Sequence, residues 1–125
     1  MDHMRQIIRF GIVGLCASLV HFGIAIFLIH ALFNPHIANL IAFCIAFQVS
    51  FWSHFHWSFS NNRTHVRQAM KRFFIVAISG FALNETLFFI GLSLDILSSG
   101  VLLLLIIGVV AIITFMLSKF WAFSG

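Results

Sequence analysis

The amino-acid sequence predicts an all-α polytopic membrane protein with four transmembrane helices and both termini on the cytoplasmic side. Hydrophobic residues make up 62% of the 125 residues and charged residues only 8%, whereas soluble domains carry roughly a quarter of charged residues. The mean hydropathy is +1.10. Four apolar stretches each have the ~20 residues that a helix needs to cross a hydrocarbon core of about 30 Å. A water-soluble fold is therefore the poorer interpretation.

The predicted spans belong to a single domain, residues 1–125, and cover about residues 10–33, 38–57, 73–94 and 100–121. Between the first two lies Asn34-Pro35-His36, where proline ends a helix and permits a tight reversal. Ser98-Ser99-Gly100 marks the reversal between the last two spans, and the central connection is long and polar. The first stretch is too long for a signal peptide and lacks a small-residue cleavage pattern, so we interpret it as a retained helix.

The orientation follows from the positions of the cations. All seven Lys and Arg residues lie before span 1, in the central loop or at the end of span 4, and neither short outer loop carries one. They are Arg5, Arg9, Arg63, Arg67, Lys71, Arg72 and Lys119. Because orientation follows the Lys and Arg bias of short loops, the sequence predicts that both termini and the central loop are cytoplasmic.

The chain also repeats itself. Arg9-Phe10 before span 1 recurs as Arg72-Phe73 before span 3, 63 positions later, and the segment around Trp57 after span 2 recurs around Trp121 after span 4. Each copy contains two spans, so the copies start from the same side of the membrane. The sequence therefore predicts two parallel helical-hairpin repeats. Stripes of small residues, such as Gly11 and Gly14 in span 1 or Gly80 and Gly91 in span 3, predict the packing faces.

Polar residues near the middle of the spans form the first predicted site. Glu85 is the only acidic residue in a predicted span, and an ionisable group there costs about 2.5 to 3.5 kcal/mol. His21 and Asn84 lie at equivalent depths, roughly 18 Å beyond Arg9 and Arg72. The functional interpretation is a cavity that binds a polar ligand or a proton, and the alternative is structural pairing among these side chains. The predicted substrate-binding residues are Glu85, Asn84, His21, Gln48 and Asn39.

A second predicted site is a phosphate-binding rim at the cytoplasmic ends of the helices, formed by Arg9, Lys71, Arg72 and Lys119. The alternative is that these cations only fix the topology and attract anionic headgroups. No metal or cofactor is predicted, because the two cysteines have no spacing motif and His54-X-His56 is a weak metal signal. The sequence shows no paired carboxylates, no activated nucleophile and no phosphate-binding glycine loop, so we do not predict an enzyme.

The chain resembles the GtrA-like family of small four-helix membrane proteins over nearly its full length. The similarity is carried by Arg9-Phe10-Gly11-Ile12-Val13-Gly14, Ala38-Asn39-Leu40-Ile41-Ala42-Phe43, Val49-Ser50-Phe51, Trp57-Ser58-Phe59, Arg72-Phe73, Asn84-Glu85 and Lys119-Phe120-Trp121-Ala122-Phe123. The sequence departs from the family at His21, where an acidic residue is common, and at His54-Phe55, where Asn-Arg or Asn-Lys is usual. In the corresponding place of span 4, Ser118-Lys119 keeps only the cation.

This resemblance implies a flippase that moves a polyprenyl-phosphate-linked monosaccharide across the bacterial cytoplasmic (inner) membrane for cell-envelope polysaccharide or lipid glycosylation. It also implies membrane glycosyltransferases as partners. Four short helices enclose little volume, so we expect a homo-oligomer, most simply a dimer. Two other functions stay open: a proton-coupled small-molecule exporter of the multidrug type, in which Glu85 alternates between a proton and a cationic substrate, and a membrane scaffold for a glycosyltransferase.

Overall fold

A computed structural model describes residues 3–31, 34–60 and 62–124. In this part of the chain there are four long helices, no strand, and two π-helical turns that continue the second and fourth helices. The helices are α1 (His3–His30), α2 (Pro35–Ser53), α3 (Val66–Leu94) and α4 (Ser99–Leu117), and the first and second π-turns are His54–Ser58 and Ser118–Ala122. All four helices are long and apolar enough to cross a membrane, which confirms the predicted all-helical class with four spans.

The chain divides into two compact units, Met1–Asn61 and Asn62–Gly125, here called the first and second units. Each unit is a hairpin of two long helices, and the π-turn that ends its second helix packs against its first helix. The same sequence of elements in both units matches the predicted pair of hairpin repeats.

The helix ends follow the local chemistry of the reversals. Asn34 caps α2 by accepting a hydrogen bond from the backbone nitrogen of His36 at 2.8 Å, and Pro35 takes the first helical position. Asp95 ends α3 in the left-handed conformation, with φ 51°. Helices α1 and α3 begin before the predicted spans, because hydropathy marks only the part of a helix that lies in hydrocarbon. Residue 33, the predicted end of span 1, lies outside the described residues.

In the first unit, α2 packs through a row of alanines. Ala38, Ala42 and Ala46 recur every fourth residue, and all three are buried. Small residues at this spacing let two helix backbones approach closely, which is how helices associate in lipid. Val13 and Gln6 are the buried residues of α1.

In the second unit, the close approach is made by glycines. A Cβ added at Gly80 would lie 2.9 Å from Thr114 Cγ2, and one added at Gly91 would lie 2.6 Å from the Leu102 methyl groups. These two glycines therefore lie on the α3–α4 interface, as their stripe predicts. In α1, by contrast, a Cβ at Gly11 or Gly14 would meet no atom within 4 Å among the described residues. That stripe does not form the α1–α2 interface.

Candidate functional site

An arginine and a tryptophan join the two ends of the first unit. Arg9 Nη1 donates a hydrogen bond to the Trp57 carbonyl oxygen at 3.1 Å, and Arg9 Cζ lies 5.2 Å from the centre of the Trp57 ring. The guanidinium therefore binds both the backbone and the aromatic face of one residue. We call this pair the first clasp.

The second unit repeats the arrangement. Arg72 Nη1 donates to the Trp121 carbonyl oxygen at 2.9 Å and to the Ser124 carbonyl oxygen at 3.3 Å. Arg72 Cζ lies 5.6 Å from the centre of the Trp121 ring. This second clasp joins residues that match those of the first in the sequence repeat, and it has one additional hydrogen bond.

The π-turns explain why each clasp forms where it does. Each turn closes with a bond five residues long, from Phe59 N to the His54 carbonyl at 2.8 Å and from Phe123 N to the Ser118 carbonyl at 2.9 Å. The last carbonyl groups of a helix have no partner within the helix and carry partial negative charge, so a cation is favoured beside them. Arg9 and Arg72 supply these cations and donate hydrogen bonds to the carbonyl groups.

Beneath the first clasp lies a buried polar contact that the sequence interpretation did not include. His54 is 2% exposed, its Nδ1 lies 2.9 Å from Ser58 Oγ, and the Phe10 ring stacks on it at 4.6 Å. The four-residue spacing of His54 and Ser58 just before the end of a helix was the available signal. At the equivalent place in the second unit, Ser118 is fully buried, and its hydroxyl has no hydrogen-bond partner among the described residues.

Two of the predicted substrate-binding residues come together in the first unit. His21 Nε2 and Asn39 Oδ1 are 2.8 Å apart, so the ring nitrogen donates a hydrogen bond from α1 to α2. Gln48 is used within its own helix, where its Oε1 accepts a hydrogen bond from Trp52 Nε1 at 3.1 Å. The structure thus gives each of these side chains a neighbour in the first unit.

The two remaining predicted residues, Asn84 and Glu85 of the second unit, have no such partners among the described residues. Asn84 is half-buried and Glu85 is exposed on α3. Neither side chain makes a hydrogen bond or an ion pair with any residue that the structure describes. Glu85 follows Arg72 by thirteen residues, or about 20 Å of helix. A carboxylate with no partner in the described part of the chain is therefore present well inside a candidate membrane span.

The two lysines of the predicted rim differ in their surroundings. Lys71 is exposed and lies next to Arg72 at the start of α3. Lys119 is half-buried in the second π-turn, and its Nζ lies 5.8 Å from the centre of the Phe115 ring and 5.4 Å from that of Phe120. Both lysines belong to the second unit, as does Arg72, whereas Arg9 belongs to the first.

These features define a polytopic helical membrane protein made of two equivalent hairpins, each clasped at one end and polar near its middle. A family model described as "GtrA/DPMS, transmembrane domain" matches residues 9–123. The chain therefore belongs to the GtrA/DPMS transmembrane-domain family, which confirms the resemblance found in the sequence. The match begins at the arginine of the first clasp and ends just after the second π-turn. No curated protein matches the chain.

Proposed function

We propose that this protein translocates a polyprenyl-phosphate-linked monosaccharide across the bacterial cytoplasmic membrane, for glycosylation of cell-envelope polysaccharide or lipid. Family membership supports a membrane role in handling polyprenyl-phosphate sugars. The observation that carries the finer proposal is Glu85, a carboxylate inside a span with no partner among the described residues. Because such a group is costly in lipid, a ligand that binds it is the simplest reason for its presence.

The cytoplasmic cations would bind the phosphate. A charged headgroup cannot leave water without a replacement for its hydration, since moving an unpaired ion into hydrocarbon costs tens of kcal/mol in the Born limit. Each clasp uses only Nη1 of its arginine among the described residues, and a guanidinium has five N–H donors. Arg9 and Arg72 therefore keep donors for phosphate, and Lys71 and Lys119 add charge.

The polar residues near the midplane would bind the sugar. Asn84 and Glu85 in the second unit offer an amide and a carboxylate to sugar hydroxyls. In the first unit, His21 and Asn39 offer their remaining donors and acceptors, and Gln48 keeps its amide nitrogen. The polyprenyl tail stays in the lipid, where it needs no polar contact.

The same proposal includes the assembly and its partners. We propose that the chain acts as a homo-oligomer, most simply a dimer, and that it passes its lipid to a membrane glycosyltransferase. Transport, and not sugar transfer, is the proposed activity.

The test is uptake by sealed liposomes that contain the purified protein. The probes are water-soluble, short-chain isoprenyl phosphates that carry tritiated glucose, galactose, mannose or arabinose. We expect uptake of at least one probe, and a loss of about tenfold or more in Glu85→Gln, because a hydrogen bond to a charged group contributes about 1.5–3 kcal/mol. Asp95→Asn is the matched control, since it removes a carboxylate from the same unit outside the helix.

The assay also separates the other two functions. If none of the probes enters but an organic cation moves under a pH gradient, the protein is an exporter. If neither moves, the transport proposal is wrong and the scaffold function gains support.

A further inference from the structure

Helix α3 carries a set of exposed polar side chains that the hairpin packing does not use. Gly80 and Gly91 face α4, and Val76, on the same side of α3, is buried. Successive helical residues are rotated by 100°, so five exposed polar residues share an arc of about 120° that points away from Gly80. We call this arc the α3 polar face; its residues are Lys71, Ser79, Glu85, Thr86 and Ser93.

The hydroxyl groups of the α3 polar face are regularly spaced along the helix. Ser79, Thr86 and Ser93 follow each other at intervals of seven residues, which is about 10 Å of helix. Lys71 precedes Ser79 by a similar distance, and Glu85 is adjacent to Thr86. A phosphate joined to a hexose has a comparable length, so a headgroup can contact the next hydroxyl before it leaves the last one.

The hydroxyl groups of Thr86 and Ser93 are stabilised in lipid by hydrogen bonds within α3, and they can still bind a ligand. Thr86 Oγ1 donates to the Ala82 carbonyl at 2.8 Å, and Ser93 Oγ donates to the Phe89 carbonyl at 2.9 Å. Their donors are therefore satisfied within the helix, and their oxygens remain acceptors for sugar hydroxyls. Ser79 has no hydrogen-bond partner among the described residues, so it can both donate and accept.

The hairpin fold does not require this polar face. In the sequence repeat, Lys71 corresponds to Ile8, Ser79 to Cys16, Glu85 to Phe22 and Thr86 to Gly23, whereas Ser93 corresponds to another polar residue, His30. The first unit thus forms the same hairpin and a similar clasp without four of the five polar groups. Their presence on α3 therefore needs an explanation other than folding. Binding of a phosphate-containing headgroup is such an explanation, because Lys71 at the cytoplasmic end of the arc is complementary to a phosphate.

We propose that α3 is the helix along which the lipid headgroup crosses the membrane, with Ser79, Thr86 and Ser93 as its hydroxyl contacts beyond Lys71. The ligand is an isoprenoid phosphate sugar, whose tail contacts the exposed apolar side chains of the same arc, such as Ile75 and Phe89. This inference rests on the proposed function. It adds which helix carries the headgroup and which hydroxyl groups bind it.

Cysteine accessibility in liposomes tests the assignment. Single variants Ser79→Cys, Thr86→Cys and Ser93→Cys are made in a Cys16→Ala, Cys44→Ala background that elutes as a folded species in size exclusion. Ile107→Cys is the matched control, because Ile107 is exposed on α4 at about the depth of Thr86 and the residues one helical turn away on either side of it are all apolar. The reagent is a membrane-impermeant cationic methanethiosulfonate, and the ligand is the short-chain isoprenyl phosphate probe with the best uptake or, without uptake, the glucosyl form.

We expect the three polar-face variants to react at least tenfold faster than Ile107→Cys, and the probe to slow their reaction. Equal rates, or fast rates that the probe does not change, overturn the assignment. A third overturning result is a Thr86→Cys variant that resists the reagent but forms a disulfide between two copies of the chain, because the face would then be covered by a second copy. Labelling does not depend on uptake. The assignment of α3 as the headgroup path can therefore fail while the proposed transport is confirmed, and the transport proposal can fail while the labelling supports α3.

Uptake gives a second measurement. Thr86→Val keeps the shape of the side chain and removes its hydroxyl, and we expect uptake to fall about fivefold, as for the loss of one hydrogen bond. Thr86→Ser restores the hydroxyl and should restore uptake. Equal uptake in Thr86→Val and the wild type would contradict a headgroup contact at this residue.

Discussion

Replacement of Arg72 by glutamine removes the second clasp and tests whether the clasps stabilise the hairpins. The variant loses hydrogen bonds of 2.9 and 3.3 Å and a guanidinium 5.6 Å from the Trp121 ring. At about 1.5 kcal/mol for the shorter bond, the low end for a charged donor, less for the longer one, and about 0.5–1 kcal/mol for an exposed cation–π contact, the expected loss is about 3 kcal/mol. Arg9→Gln loses one bond of 3.1 Å and its ring contact, so we expect a smaller loss, about 2 kcal/mol.

The assay is equilibrium unfolding in mixed micelles titrated with dodecyl sulfate, followed by tryptophan fluorescence. Arg67→Gln is the matched control, since Arg67 is a cation at the same end of α3 and its side chain has no hydrogen-bond partner among the described residues. We expect this variant to change the unfolding free energy by no more than about 0.5 kcal/mol. If all three variants unfold at the same detergent fraction, the clasps contribute no measurable stability and this explanation of the repeated Arg and Trp residues is wrong.

Three further outcomes follow from the packing. Gly80→Leu should destabilise the protein by about 1–3 kcal/mol, because its Cβ would lie 2.9 Å from Thr114 Cγ2. Gly108→Leu should leave the stability unchanged, because a Cβ there meets nothing within 4 Å among the described residues. The same detergent titration compares the two variants. His21→Ala and Asn39→Ala should be non-additive by about 0.6–1.7 kcal/mol in a double-mutant cycle, and strict additivity would contradict the 2.8 Å bond. Asp95→Val should cost about 1–2 kcal/mol of unfolding free energy at φ 51°, while Asp95→Gly should be tolerated; equal losses would exclude backbone strain as the cause.

Much of the fold could be predicted from the sequence. Hydropathy located the four helices because each helix that crosses the hydrocarbon core must be apolar over about the same number of residues. The sequence repeat at Arg9 and Arg72 pointed to equivalent hairpins, and both arginines do join the ends of their units. Their partners could not be predicted, since a backbone carbonyl carries no sequence signal and a π-turn leaves the hydrophobic pattern of its helix unchanged.

The small-residue rule worked only where a neighbouring helix lies against the stripe. Gly80 and Gly91 face α4, whereas Gly11 and Gly14 face no other described residue. A stripe shows that a close approach is sterically possible, but it does not say which helix makes it. Structural pairing was the alternative that the sequence left open for these polar side chains, but the choice of Asn39 as the partner of His21 could not be predicted, because it depends on the register of α1 against α2.

The contrast between the two units bears most directly on the proposed function. Near the middle of the first unit, His21 and Asn39 bond each other at 2.8 Å, so each of these side chains has a partner within the hairpin. At the equivalent depth of the second unit, Asn84 and Glu85 have no partner among the described residues, although this unit too has a clasp and a π-turn. Since an unpaired carboxylate in a span lowers stability, the fold alone gives no reason to keep it. We therefore infer that Asn84 and Glu85 of the second unit make the main headgroup contacts near the middle of the membrane, and that the first unit adds only the donors and acceptors that its own hydrogen bonds leave free.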